Sequence, residues 1–242
     1  MVFLSTVADY VKVTAPDGGQ FDAYRALPES GRGPGLLVFQ EIFGINDNIR
    51  GICDRLAGEG YVAVAPDMFW RLEPRFERKD ESDMEACMAM VGRMDWAAAA
   101  GDITATLAHL RAMPECTGKV GAIGFCLGGG LTFLCATSAR VDGRGIDAAV
   151  PYYGSAINSM LDRADDLVCP TLFHYGDRDP FIPAEAIAEV EKAMVGKDDV
   201  TIQHHDAGHA FSNWDAPSFY DEPAAAEAWP QTLAFLAEHL KN

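Results

Sequence analysis

Basic residues are scarce in this 242-residue chain: 19 lysines and arginines face 36 aspartates and glutamates, a formal net charge of −17. A surface of that sign repels phosphate backbones and anionic lipid, so neither nucleic acid nor a membrane is expected as a partner. Long hydrophobic runs are missing too. None reaches the roughly 18 apolar residues a membrane span requires, and Met1 to Thr6 reads as no signal peptide, having no basic start and no long apolar stretch. Cysteine is sparse. The six, at 53, 87, 116, 126, 135 and 169, show neither paired metal-ligand spacing nor the density of a disulfide scaffold. A reduced, cytoplasmic protein without a metal is therefore expected. The acid clusters Asp80-Glu81-Ser82-Asp83 and Asp165-Asp166 read as solvated faces.

What remains is ample apolar material. A hydrophobic content of 49% is enough for a large core, and residues 1–242 are expected to form one domain. Residues 9 to 27 read as two strands around the hairpin signal Pro16-Asp17-Gly18-Gly19. Gly35 to Gln40 is a continuous apolar run, a buried strand. Ile49, Ile52, Cys53 and Leu56 then recur at i, i+3, i+4 and i+7, one face of a helix stopped by Gly58 and Gly60. Further strands are expected at Tyr61 to Ala65, Val120 to Ile123, Ala148 to Tyr153, Thr171 to Tyr175 and 200 to 204. Helices are expected at 94 to 112, 128 to 138 and about 184 to 195, and a last one carries Trp229, Leu233, Leu236 and Leu240 on one face. Buried strands alternating with helices imply an α/β fold, a mostly parallel central sheet with helices on both faces. The segment from 67 to 93 is irregular, rich in charge and aromatics including Trp70. It reads as a lid or specificity loop, or equally as a charged surface excursion.

One stretch carries chemistry. Gly124-Phe125-Cys126-Leu127-Gly128 follows a strand and precedes a helical run, the nucleophile-elbow pattern with sulfur in place of oxygen. The sharp turn crowds the nucleophile's neighbours, so the positions two before and two after it must lack a Cβ. A thiol at a helix N-terminus also feels the positive end of the helix dipole, which favours thiolate.

A thiolate attacking esters needs a base, and the base needs an orienting acid. Downstream, His174-Tyr175-Gly176-Asp177-Arg178-Asp179-Pro180 ends a strand in a turn with two aspartates, and His204-His205-Asp206-Ala207-Gly208-His209 ends the next in Gly-His. The order nucleophile, acid, histidine is that of the α/β-hydrolase fold. Asp177 and Asp179 compete as orienter, with Asp179, further out in the loop, preferred. His209 is preferred as base over His204 and His205. In this fold one oxyanion-hole amide follows the nucleophile, here Leu127, and the other lies in the loop after an early strand, here Gln40-Glu41-Ile42-Phe43-Gly44. Glu41 is expected near Cys126, where a carboxylate can hold or accept the thiol proton.

The chain resembles the dienelactone hydrolase (carboxymethylenebutenolidase) family over nearly its whole length. The resemblance rests on Gln40-Glu41-Ile42-Phe43-Gly44-Ile45-Asn46, Pro66-Asp67-Met68-Phe69, Lys119-Val120-Gly121 through Gly129, Tyr152-Tyr153-Gly154, Asp179-Pro180-Phe181-Ile182-Pro183 and Ala207-Gly208-His209-Ala210-Phe211. It implies Cys126 as nucleophile, His209 as base, Asp179 as orienter, Glu41 as gate of the thiol proton, and the amides of Ile42 and Leu127 as the oxyanion hole. It implies no cofactor, and a small-molecule ester or enol-lactone as substrate of a monomer or small homo-oligomer. Phe43, Tyr153, Phe211, Asn213 and Trp70 are the pocket candidates. The sequence departs from the family at the two arginines that hold a dienelactone carboxylate. Asn213 stands at one position and Met84 near the other, with Arg75 and Arg78 as shifted alternatives. A neutral or larger ester or lactone is therefore expected at least as much as dienelactone.

Overall fold

A computed structural model describes residues 7–241, so the reading of Met1 to Thr6 lies outside the described residues. The strands are β1 (Val7–Thr14), β2 (Gln20–Leu27), β3 (Gly33–Phe39), β4 (Val62–Pro66), β5 (Cys116–Phe125), β6 (Ala148–Tyr152), β7 (Thr171–Gly176) and β8 (Val200–His205). The helices are α1 (Asp47–Gly58), α2 (Met84–Gly92), α3 (Trp96–Ala112), α4 (Leu127–Ser138), α5 (Ala184–Met194) and α6 (Glu222–Leu240). A 3-10 segment, Ile157–Asp166, follows β6. All eight strands form one sheet in the order β1-β2-β4-β3-β5-β6-β7-β8. The β1-β2 hairpin and the β2-β4 pair are antiparallel; every other pairing is parallel. This is the mostly parallel sheet of an α/β-hydrolase fold.

The central strands are apolar without alternation because both sheet faces are covered. Leu36, Leu37, Val38 and Phe39 are all fully buried. Successive residues of a strand point to opposite faces, and two glycines show what lies on each. A Cβ on Gly35 would press on Leu110 of α3, whereas one on Gly121, beside Leu36, would press on Leu240 of α6. α3 and α6 therefore pack on opposite faces. Among the described residues no helix is long and apolar enough to cross a membrane.

Helix starts follow their capping residues. Asn46 accepts from the Ile49 amide at α1, Asp95 from Ala97 and Ala98 at α3, and Asp221 from Ala224 at α6. At α4 the cap position is Cys126, and its side chain makes no capping bond. The strand reading holds with shifted ends. β5 begins at Cys116, and β6 ends at Tyr152 because Tyr153 turns to φ +34°. The irregular segment contains α2, whose recurrence of Met84, Met88 and Val91 puts an apolar stripe on one helical face.

Candidate active site

Loops leaving the C-terminal ends of neighbouring parallel strands converge, which is where open α/β sheets place their sites. β3 delivers Glu41, β5 Cys126, β6 Tyr153 and Ser155, β7 Asp179, and β8 His209. Cys126 sits at φ +55°, a conformation unfavourable for any residue with a Cβ. The turn is possible because its flanks are bare: a Cβ on Gly124 would run into the carbonyl of Gly128, and one on Gly128 into that of Phe39. Strain gathers around this point. Of six non-glycine residues at positive φ among those described, Cys126, Tyr153, Ala156 and Ala210 lie here. Each such residue costs of order 1–3 kcal/mol and persists only where surrounding packing imposes it.

Leu127 opens α4, so its amide has no acceptor within the helix. Ile42 follows Glu41 in the loop after β3, and both Ile42 and Leu127 border the same cavity as Cys126. The Cys126 sulfur lies 3.6 Å from the Ser155 hydroxyl.

His209 Nδ1 donates to Asp179 Oδ2 at 2.6 Å. Asp179 is fixed in turn, its other oxygen accepting from the amides of Phe181 and Ile182 at 2.8 and 3.1 Å. With Nδ1 engaged, Nε2 is left for Cys126, which borders the same cavity. Burial acts to lower the His209 pKa. Burial is the largest single influence, but the Cys126 sulfur and the bonded, negatively charged Asp179 together outweigh it, and the imidazole is raised to about 10. Asp177, the competing aspartate, points elsewhere: it takes His204 Nδ1 at 2.6 Å on the exposed side, and His204 Nε2 meets Glu191 at 2.9 Å. The remaining histidine of the pair, His205, joins His174 in the core at 2.9 Å.

Glu41 is 2% exposed and borders the cavity with Cys126 and His209. Tyr153 donates its hydroxyl to Oε1 at 3.2 Å, and the Asn213 amide donates to Oε2. Burial pushes the Glu41 carboxyl up to about 7, opposed by the His209 charge and by these two donors. Tyr153 continues to Ser212, its hydroxyl 2.7 Å from Oγ.

The cavity in front of Cys126 has a volume of about 290 Å³. Its walls are Phe43, the α2 stripe Met84, Met88 and Val91, Trp96 at the start of α3, and Phe181 and Phe219. Among the described residues, Glu41 and His209 are its only ionisable members besides Cys126, and no lysine or arginine lines it. Of the pocket candidates read from sequence, only Phe43 reaches the wall. Trp70 does not: it stacks on Phe21 at 5.3 Å and donates to Asp102, drawn away by that buried carboxylate. Tyr153, Phe211 and Asn213 stand one layer behind. Tyr153 and Asn213 turn their polar groups to Glu41, and Phe211 packs edge-on against Tyr153 at 5.1 Å. Neither alternative arginine replaces the missing cations. Arg75 pairs with Asp22 at 2.8 Å, and Arg78 lies over the Phe76 ring at 4.5 Å. Sequence reasoning missed Met88, Val91, Trp96, Ser155, Ala156 and Phe219. Only the i, i+4, i+7 spacing of Met84, Met88 and Val91 carried a signal.

Comparison with known proteins identifies the family and the fold. The model of the dienelactone hydrolase family matches residues 21–240. A carboxymethylenebutenolidase from a Pseudomonas strain is 34% identical, the match covering 93% of this chain and 93% of that protein. A second, carboxymethylenebutenolidase 1 of Cupriavidus pinatubonensis, is 30% identical over 96% of this chain and 97% of its own. Among solved structures, a dienelactone hydrolase-like promiscuous phosphotriesterase from metagenomic libraries superposes with a TM-score of 0.82. It is 27% identical and covers 98% of this chain and 100% of its own.

Proposed function

Because the chain belongs to the dienelactone hydrolase family and is a hydrolase of ester or lactone substrates, we propose that it works through a thioester on Cys126, with His209 as acid and base and Asp179 as orienter. The observation that carries this reading is the shared cavity: a cysteine on a strained elbow faces a histidine held by a buried aspartate.

The chemistry follows from the proton inventory. His209 is protonated when the facing Cys126 is thiolate, and that proton is the one the leaving group needs, so the proton lost by a resting Cys126 thiol requires a second acceptor. Glu41, with a pKa raised to about 7, has the right basicity and borders the same cavity. The thiolate attacks the carbonyl carbon, and the developing oxyanion is met by the amides of Ile42 and Leu127. Collapse expels the alkoxide or enolate, which takes the His209 proton. Neutral His209 then removes a proton from water, hydroxide adds to the thioester, and the thiolate leaves as the acid forms. Asp179 holds the imidazole with Nδ1 protonated throughout.

The lining favours a carboxylesterase or thioesterase of broader specificity, acting on a neutral substrate, over a hydrolase of a carboxylate-bearing dienelactone. A substrate anion placed here would meet Glu41 and no fixed cation except protonated His209, in a low-dielectric setting where unpaired charge is costly. The substrate is therefore a neutral ester or lactone with apolar substituents.

The test is hydrolysis of p-nitrophenyl acetate by the wild type and by Cys126→Ala, side by side. The expected result is turnover by the wild type and loss of at least about a thousandfold in the variant. Equal rates would remove the thioester mechanism.

A further inference from the structure

The catalytic cavity has a neighbour across part of its wall. A second hollow of about 480 Å³ shares two residues with it, Trp96 and Ala156. Its floor is apolar, built from Ala97 and Ala100 of α3, Leu134 of α4 and Met160 of the 3-10 segment, with Ser159, Asp162 and Arg163 also lining it. At about 290 Å³ the catalytic cavity alone falls at the small end of ligand sites, which run from roughly 300 to 1,000 Å³. Joined to the second hollow it falls well inside that range.

The junction is a built feature. Ala156 holds a left-handed backbone, φ +62°, directly after Ser155, whose hydroxyl faces the Cys126 sulfur. That conformation costs free energy for an alanine, and the only side-chain atom Ala156 places between the two hollows is a methyl carbon. Trp96, in the first turn of α3, also lines both spaces.

The chemistry of the site indicates which part of a substrate enters. The leaving group must lie at His209, which gives it a proton. His209 is surrounded by the rings of Tyr153 and Phe181, each 5.2 Å away. Neither ring, nor His209 itself, borders the second hollow. The acyl chain is the part free to turn toward Ser155 and Ala156.

We propose that the Trp96–Ala156 passage and the hollow beyond it form an acyl-chain groove, so that the substrates are uncharged esters with an extended apolar acyl group. This deepens the reading of Cys126 as an acyl-accepting nucleophile and rests on it. The chain displaces water from Ala97, Ala100, Leu134 and Met160, and each methylene buried there strengthens transition-state binding.

The experiment measures kcat/KM for p-nitrophenyl acetate, butyrate, hexanoate and octanoate. It compares the wild type with Ala97→Trp and Ala100→Phe, which fill the groove and touch neither Cys126 nor His209. The wild type is expected to gain at least about tenfold from butyrate to octanoate, since a buried methylene contributes a few-fold each. The filled variants are expected to keep wild-type acetate turnover within about twofold and to lose the chain-length gain. A wild type whose kcat/KM falls beyond butyrate would overturn the groove, as would filled variants that retain the gain. Acetate turnover that survives Cys126→Ala would remove the thioester reading, and the acyl groove with it. A groove failure alone leaves Cys126-dependent acetate turnover in place.

Discussion

Asn213 donates its side-chain amide to the carboxylate of Glu41, joining two buried residues 172 positions apart behind the catalytic cavity. The family resemblance places an arginine at that position. An amide supplies the hydrogen bond without the charge, so burial prevails and the Glu41 carboxyl rises to about 7. One residue thus bears on two properties: it leaves the pocket without a cation for an anionic substrate, and it lowers the Glu41 pKa less than a cation would, so that burial keeps the carboxyl near neutrality.

If Glu41 must be anionic to accept the thiol proton, kcat/KM falls as pH drops through about 7. Asn213→Asp is nearly isosteric and puts a second carboxyl against Glu41. Like charges at contact disfavour joint ionisation, so the acidic limb should move upward by about one unit or more. A limb that stays in place would separate Glu41 from the rate.

Glu41→Gln tests the same carboxyl through stability. The folded protein holds the Glu41 proton more tightly than the ordinary value of 4.5 allows. The stabilisation from that protonated carboxyl is fully present below 4.5 and is lost as pH rises through about 7. The glutamine variant cannot ionise. Relative to wild type it should gain up to about 3 kcal/mol at pH 8 and little at pH 4, read by denaturant unfolding at both values, while kcat declines. A difference independent of pH would count against a buried ionising Glu41.

Iodoacetamide at neutral pH should label Cys126 first. Cys53 and Cys135 are fully buried, and burial holds the thiols of Cys53, Cys87, Cys135 and Cys169 above their ordinary values. Peptide mapping that finds another cysteine reacting faster would contradict the elbow assignment.

His209→Ala should lower kcat by about a thousandfold or more with a modest change in KM, and Asp179→Asn by a comparable factor through the wrong imidazole tautomer. Asp177→Asn, on the exposed His204 pair, should leave kcat within about twofold. Steady-state kinetics decides, and a loss confined to KM would withdraw the acid–base role.

Activity on a neutral aryl ester should exceed that on dienelactone. The lining has no lysine or arginine, and Arg75 and Arg78 are engaged outside it. The reverse ranking would mean that the carboxylate finds a cation the cavity walls do not offer.

What the sequence determined by itself was local. Steric demand at the elbow leaves its mark within five residues, as Gly124, Cys126 and Gly128, and uninterrupted apolar runs identify strands covered on both faces. The order of Cys126, the aspartate turn and the Gly-His loop was readable for the same reason: each sits directly after its own strand. The tertiary structure decided which groups meet. Turn chemistry admits both Asp177 and Asp179, and only the arrangement of the β7 and β8 loops gives Asp179 to His209 and Asp177 to His204. Trp70 and Phe211 are as aromatic as Trp96 and Phe219, yet the latter two line the cavity. Periodicity reports that a face is buried, not against what. The wall is the meeting place of α2, α3 and the loop before α6, and that meeting is set by packing across the whole sheet.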